Sequence, residues 1–178
     1  QLDSFTGSIK YGYGKDPNYQ EWAPGMIELI EMKLYWNPSD QLRVNFRLNQ
    51  QKNKRPTDGT LVSSGTVPRL KVEYQLTKSL FLRFVSQYNS SYRDSLFDNS
   101  RDGLPIYFKN SDGTYIRAGK NESNNIQTDF LFSYRPTPGT LVFIGYGSEL
   151  SDPERYRFQS MQRQSDGLFI KLSYVYRL

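Results

Sequence analysis

The stretch GLFIKLSYVYRL, Gly167 to Leu178, decides the fold. Leu168, Ile170, Leu172, Tyr174, Tyr176 and Leu178 fall on one side of a period-two repeat, and Phe169, Lys171, Ser173, Val175 and Arg177 on the other. Successive side chains of a strand point to opposite faces, so this is a strand with one apolar and one mixed, charged face. The alternation recurs upstream. Leu70, Val72, Tyr74 and Leu76 oppose Arg69, Lys71, Glu73 and Gln75; Leu42, Val44, Phe46 and Leu48 oppose Arg43, Asn45, Arg47 and Asn49. Ile126, Thr128, Phe130, Phe132 and Tyr134 oppose Gln127, Asp129, Leu131, Ser133 and Arg135, and Phe5, Ile9, Tyr11 and Tyr13 oppose Ser4, Thr6, Ser8 and Lys10. The stretch near 80–91 sets Phe81 and Val85 beside Arg83, and that near 140–148 is apolar or glycine on both sides, so its register stays open.

Strands are expected near 2–14, 25–36, 41–51, 67–76, 80–91, 125–135, 140–148 and 166–178, about eight in all. Their connections alternate. Short ones carry turn residues (Asn37-Pro38-Ser39-Asp40, Leu76-Thr77-Lys78-Ser79, Arg135-Pro136-Thr137-Pro138-Gly139). Long polar ones fall near 15–24, 52–66, 92–124 and 148–165. This predicts an all-β, antiparallel up-and-down meander: an outer-membrane β-barrel, or the C-terminal arc of a larger one, forming a single domain over 1–178. The first residue is Gln1, which leads us to expect either a mature chain or a piece of a longer one.

Composition removes several classes of chemistry. There is no Cys and no His, so thiol catalysis, disulfides, Cys/His metal sites and imidazole acid–base chemistry are out. No stretch approaches the roughly 20 apolar residues of a spanning helix, while a barrel needs only every second residue apolar. We expect no catalysis, no cofactor, no metal and no nucleic-acid partner. The segment Asp98 to Gly103, DNSRDG, starts like a calcium loop, but its twelfth position is Lys109, so it reads as a solvated turn. Asp94, Asp98 and Asp102 lack the fixed separation that glycoside hydrolysis requires. Asn110-Ser111-Asp112-Gly113, between two short aromatic stretches, reads as a hairpin tip. The repeats Gly12-Tyr13-Gly14 and Gly145-Tyr146-Gly147 read as strand-end glycines that relieve curvature.

Alternation alone does not say which solvent the apolar face meets. A soluble secreted β-barrel binding an apolar small ligand would turn it inward; a membrane barrel would turn it to lipid. Tyr35, Trp36, Tyr74, Tyr134, Tyr174 and Tyr176 gather near the short-turn ends, where an interfacial girdle of amphipathic rings belongs. That favours lipid contact for Leu70, Val72, Tyr74, Phe130, Phe132, Tyr134, Ile170, Leu172, Tyr174 and Tyr176. The lumen side then presents Lys10, Lys33, Arg43, Arg47, Arg69, Lys71, Arg83, Arg135, Lys171 and Arg177 against Glu31, Glu73 and Asp129. The excess of cations favours a wide, wet arc and anionic solutes.

The stretches LKVEYQLTKSLFLRFVSQYNSSYRD, TDFLFSYRPTPGTLVFIGYGSEL and QRQSDGLFIKLSYVYRL resemble the C-terminal barrel region of large bacterial outer-membrane proteins of a domain-of-unknown-function family. The resemblance covers roughly 67–178 and is carried by Tyr134 to Thr140, Gly145-Tyr146-Gly147 and Ser165-Asp166-Gly167; the first third fits in pattern only. It implies the outer membrane of a diderm bacterium, outer-membrane lipid and the barrel assembly machinery as partners, and an upstream module similar to family-9 carbohydrate-binding modules. Most outer-membrane barrels end in Phe, where this chain has Leu178. With glycans as a further candidate partner, Trp22, Tyr107 and Tyr115 are the loop aromatics placed to stack on sugar rings, along with Tyr19 and Phe108. The reading from sequence is thus a non-catalytic pore or membrane scaffold.

Overall fold

The computed structural model describes residues 5–156 and 158–175. Eight long strands form one antiparallel sheet in chain order: β1 (Phe5–Asn18), β2 (Ala23–Trp36), β3 (Leu42–Lys54), β4 (Leu61–Thr77), β5 (Leu80–Arg93), β8 (Asn121–Tyr134), β9 (Thr140–Asp152) and β10 (Gln162–Tyr174). A small hairpin, β6 (Tyr107–Lys109) with β7 (Tyr115–Arg117), sits between β5 and β8, with Asn110 to Gly113 at its tip as expected. The meander is therefore as the alternation predicts. The sheet does not close into a barrel: among the described residues, β1 and β10 are its two edges and do not pair. The arc form of the prediction fits this sheet, and the closed eight-strand form does not. Eight strands enclose little more than their own side chains, and the face expected to turn inward carries long cations throughout.

The connections correct the expected alternation of short and long. Between β1 and β2 only residues 19–22 are outside strand, because Lys15 to Asn18 pair with Met26 to Ala23. Pro17 and Pro24 face one another there. Pro17 is on the edge strand, and Pro24 precedes Met26, where pairing with β3 begins, so neither removes a donor that a third strand needs. The 52–66 and 148–165 segments likewise shrink to 55–60 and 153–161. Only 94–120, which contains the small hairpin, is long. The short turns at 37–41, 78–79 and 135–139 fall where expected, the last closing on Gly139 with φ 95°, a left-handed value suited to glycine.

The two GYG repeats are not at strand ends. They lie within β1 and β9, and Gly145 pairs with Phe169, whose ring lies over the space a side chain at 145 would fill.

Little of the sheet is covered. The buried apolar cluster joins Val62 of β4 to Leu96, Ile106 and Ala118 of the 94–120 segment at the loop end. The chain exposes 12445 Å², where a compact monomer of this length exposes roughly 9,000 Å². Neither face of the sheet is a core.

Glycine is required at one tight point. A Cβ on Gly25 would sit 2.7 Å from the backbone oxygen of Asp16, whereas one on Gly14 would meet nothing within 4 Å. We expect Gly25→Ala to lower stability by about 1–3 kcal/mol through backbone displacement, and Gly14→Ala to be neutral or mildly stabilising. Urea unfolding in detergent, followed by tryptophan emission, separates the two.

Candidate functional site

The register assigns every strand residue to a face. Phe5, Trp36, Val44, Val72, Phe84, Phe130, Tyr146 and Leu168 form one continuous cross-strand row. Leu70, Val72, Tyr74, Phe130, Phe132, Tyr134, Ile170, Leu172 and Tyr174 all share this face, as the alternation predicts; Tyr176 lies outside the described residues. The two strands of open register are settled by their neighbours. Leu80, Leu82 and Phe84 of β5 and Val142, Ile144 and Tyr146 of β9 join the apolar face; Phe81, Val85 and Phe143 lie on the other.

The apolar residues form a band that slants across the hydrogen-bonded rows. On β2 it runs Trp36, Leu34, Met32, Ile30 and stops at Glu28. On β3 and β4 it runs Leu42 to Leu48 and Tyr74 to Pro68, stopping at the Gln50–Thr66 pair. On β5, β8, β9 and β10 it is broken earlier, at the polar row Ser86, Thr128, Ser148, Asp166, beyond which Tyr88, Ile126 and Leu150 form one more apolar row, while its lower end reaches down to Tyr134 and Tyr174. From β2 to β10, about 29 Å across the sheet, the centre of the band moves by about six residues, roughly 20 Å, a slant near 35° to the rows. Membrane barrels tilt their strands by about 35–45° against an apolar belt of about 25 Å. Aromatic rings border it. Trp36, Tyr74, Tyr134 and Tyr174 lie at its short-turn end, and Tyr11, Tyr13 and Tyr146 at its other, where the Tyr146 hydroxyl donates to Asp166 Oδ1 at 2.9 Å.

Above the band, Arg155, Tyr156 and Phe158 of the β9–β10 connection fold back over this same face. Arg155 Nη1 donates to Ser64 Oγ at 2.8 Å and its guanidinium lies 4.4 Å from the Tyr92 ring centroid. Tyr156 donates its backbone N–H to the Tyr88 hydroxyl at 3.0 Å, and the Tyr156 and Phe158 rings lie within 6.0 Å and 5.5 Å of Tyr88.

The opposite face carries the cations. Lys10, Lys33, Arg43, Arg47, Arg69, Lys71, Arg83 and Lys171 all share it, along with Glu31, Glu73 and Asp129. Two members of the expected set are not on a described strand: Arg135 sits in the turn after β8, donating its backbone N–H to Ser79 O, and Arg177 lies outside the described residues. The cations crowd between β2 and β5, where Lys33, Arg47 and Arg69 are direct cross-strand neighbours in a single row. Lys71 pairs with Glu73 at 2.9 Å.

At the loop end a buried ion pair ties three connections together, and no spacing in the sequence signals it. Glu21 is fully buried. Its Oε1 accepts from Arg55 Nη2 at 2.6 Å, Arg55 Nε at 3.2 Å and the Phe97 N–H at 3.2 Å; its Oε2 accepts from Asn18 and Asn99 at 3.0 Å and 2.8 Å. Arg55 also donates to Thr60, Asp94 and the Ser95 carbonyl, so all five of its N–H groups are used. The Glu21 carboxylate, then the Asp94 one, hold this guanidinium further into its charged range against the opposing effect of burial. Asp94 is thereby committed to structure. Asp98 and Asp102 close local turns onto Ser100 and Leu104, as a solvated turn would. Among the described residues no group of acids is placed to hold a metal.

The loop aromatics fall into two groups, Tyr19 with Trp22 at one pocket and Tyr107, Phe108 and Tyr115 on the small hairpin. Tyr107 and Tyr115 are exposed on the β6–β7 hairpin, and Trp22 stands at the β1–β2 tip with φ 49°, bordering an open pocket with Lys15, Tyr19 and Pro24. No described contact or pocket joins Trp22 to the hairpin.

Fold and faces together define an antiparallel all-β sheet, apolar on one side and cationic on the other. No family model, curated protein or solved structure matches the chain.

Removing Arg55 leaves a buried carboxylate with only neutral donors, a loss of about 3–5 kcal/mol. We expect Arg55→Ala to free the 94–120 segment, so that limited trypsin digestion cuts at Arg101, Lys109 or Arg117 in the variant well before the wild type.

Proposed function

We propose that the chain is a lipid-facing arc of a bacterial outer-membrane β-barrel, serving as a pore or scaffold rather than as an enzyme. One observation carries this reading: the uncovered apolar band keeps a near-constant height while slanting across the strands, and it is edged by aromatic rings. A tilted sheet crossing a bilayer has that pattern, with its backbone groups satisfied strand to strand. The far side is then wet, which the cations require. Where Arg155, Tyr156 and Phe158 fold over the outer face, a guanidinium and hydroxyls mix with aromatic rings, as they would at the level of the headgroups.

The resemblance of 67–178 to barrel regions joined to a carbohydrate-binding module belongs to the same proposal, as do the assembly machinery and outer-membrane lipid as partners. The separation of Trp22 from Tyr107 and Tyr115 gives the loops no common sugar platform, so a glycan role would rest on the upstream module.

Two measurements test this. In single-tryptophan variants reconstituted into vesicles, lipids brominated on the acyl chain are expected to quench Trp36, at the edge of the band, and to spare Trp22, which aqueous iodide reaches. Equal quenching of both would overturn the reading. Leu172→Arg places a cation on the lipid side, at a cost of about 2–4 kcal/mol near the midplane, and should block membrane assembly. Ser173→Arg, one residue away on the wet side, should assemble normally in the same heat-modifiable gel shift. Tolerance of both, or damage from Ser173→Arg alone, would turn the sheet the other way.

A further inference from the structure

The cationic face contains a built recess. Tyr35, Asn45, Arg47, Arg69 and Lys71 line an open cavity of about 240 Å³. They come from two adjacent cross-strand rows, Tyr35–Asn45–Lys71 and Lys33–Arg47–Arg69. Directly opposed residues on neighbouring strands stand about 4.5–5.5 Å apart, and like charges so placed oppose the pairing. Here three cations stand side by side. Among the described residues none of Lys33, Arg47 and Arg69 has an ion-pair partner. Of the nearer acids on this face, Glu31 stands two residues along β2 from Lys33, opposite Asn49, and Glu73 pairs with Lys71 at 2.9 Å; the acid of their own row, Glu149, lies three strands beyond Arg69 and accepts from Asn125 at 2.7 Å. At about 4.8 Å per strand that is roughly 14 Å, beyond effective reach through screened water.

The recess is rich in donors. Arg47 Nη2 donates to the Tyr35 hydroxyl at 3.0 Å, with its guanidinium 5.9 Å from that ring centroid. The contact holds the fork in place and leaves the Tyr35 proton free to donate. Two guanidiniums, an ammonium, an amide and a phenol converge on one space. Planar forks and a point charge in this combination suit a multiply charged oxyanion, whose oxygens accept several charge-assisted hydrogen bonds at once.

We propose that this recess is a binding site for phosphate-bearing small solutes, with Arg47 and Arg69 as the principal ligands, Lys71 and Lys33 supplying further charge, and Tyr35 orienting Arg47. The proposal deepens the reading above, from which it takes this face as the wet one. It adds a specific site to a general preference for anions. Bound phosphate would also relieve the repulsion within the row, so occupancy and sheet stability are coupled.

Titration of the full-length protein in detergent micelles with pyrophosphate, at fixed ionic strength, tests it. Saturable binding is expected, weakened about tenfold or more by Arg47→Gln and by Arg69→Gln, since each removes a charge-assisted bond. Lys78→Gln, in the 78–79 turn, should leave it unchanged. The two Gln variants remove repulsion and are expected to keep the wild-type gel shift, so lost binding is not lost folding. Absence of saturable binding, or equal binding in Arg69→Gln and wild type, overturns the site. The membrane reading fails separately: a monodisperse detergent-free monomer that binds pyrophosphate through Arg69 would keep the site and remove the barrel, and a heat-modifiable barrel that ignores pyrophosphate would do the reverse.

Discussion

The backbone ladder holds this chain in shape. Seven antiparallel pairings in sequence order connect the eight long strands, while the buried apolar cluster is a handful of residues at the loop end. In most domains burial of side chains fixes which strands meet, and hydrogen bonds follow. Here the apolar side chains stay half exposed in the sheet interior and more so at its edges; Phe130 is 42% and Ile170 69% accessible. A sheet of that kind is stable only where its environment supplies what a core would. Lipid does this without competing for the ladder, because hydrocarbon offers backbone groups no alternative partner.

That dependence explains what the sequence disclosed and what it concealed. Alternation appears wherever the two faces of a strand meet different surroundings, so Leu70 to Leu76 and Ile126 to Tyr134 could be assigned to faces by inspection. Toward the loop end both faces are polar. Lys52 to Lys54, Ser63 to Thr66 and Asn121 to Asn124 show no period and read as loop, yet they are ladder-bonded strand. Lys15 to Asn18 and Ala23 to Pro24 likewise read as loop, and their prolines are tolerated in the ladder at an edge or pre-pairing position. The band's slant was also invisible, because it exists only in the register between strands. The recess on the cationic face was half legible: its cations were identified one by one, but their meeting in a single row depends on which residue of β3 faces which of β2 and β4.

The Glu21–Arg55 hub lay beyond sequence reading for another reason. A carboxylate in a four-residue turn and an arginine before a proline are unremarkable separately. Their partnership needs the β1–β2 and β3–β4 turns to reach the same end of the sheet and a third segment to close over them. Such a pair costs desolvation and contributes little net stability against an apolar substitute; its contribution is to specify one arrangement of the turns.

The hub also imposes an order in time. Arg55 is 34 residues from Glu21, but Asn99, which completes the shell of donors around that carboxylate, is 78 away. Hairpins close quickly and distant segments slowly, since each longer loop costs more entropy before any contact repays it. The first four strands therefore align while the Glu21 carboxylate is still hydrated, and the turn end stays loose until the 94–120 segment arrives to dry it. Closure of that end becomes a late checkpoint: a misregistered early hairpin would carry Glu21 or Arg55 out of reach and leave the segment undocked, visible to any protease or chaperone nearby.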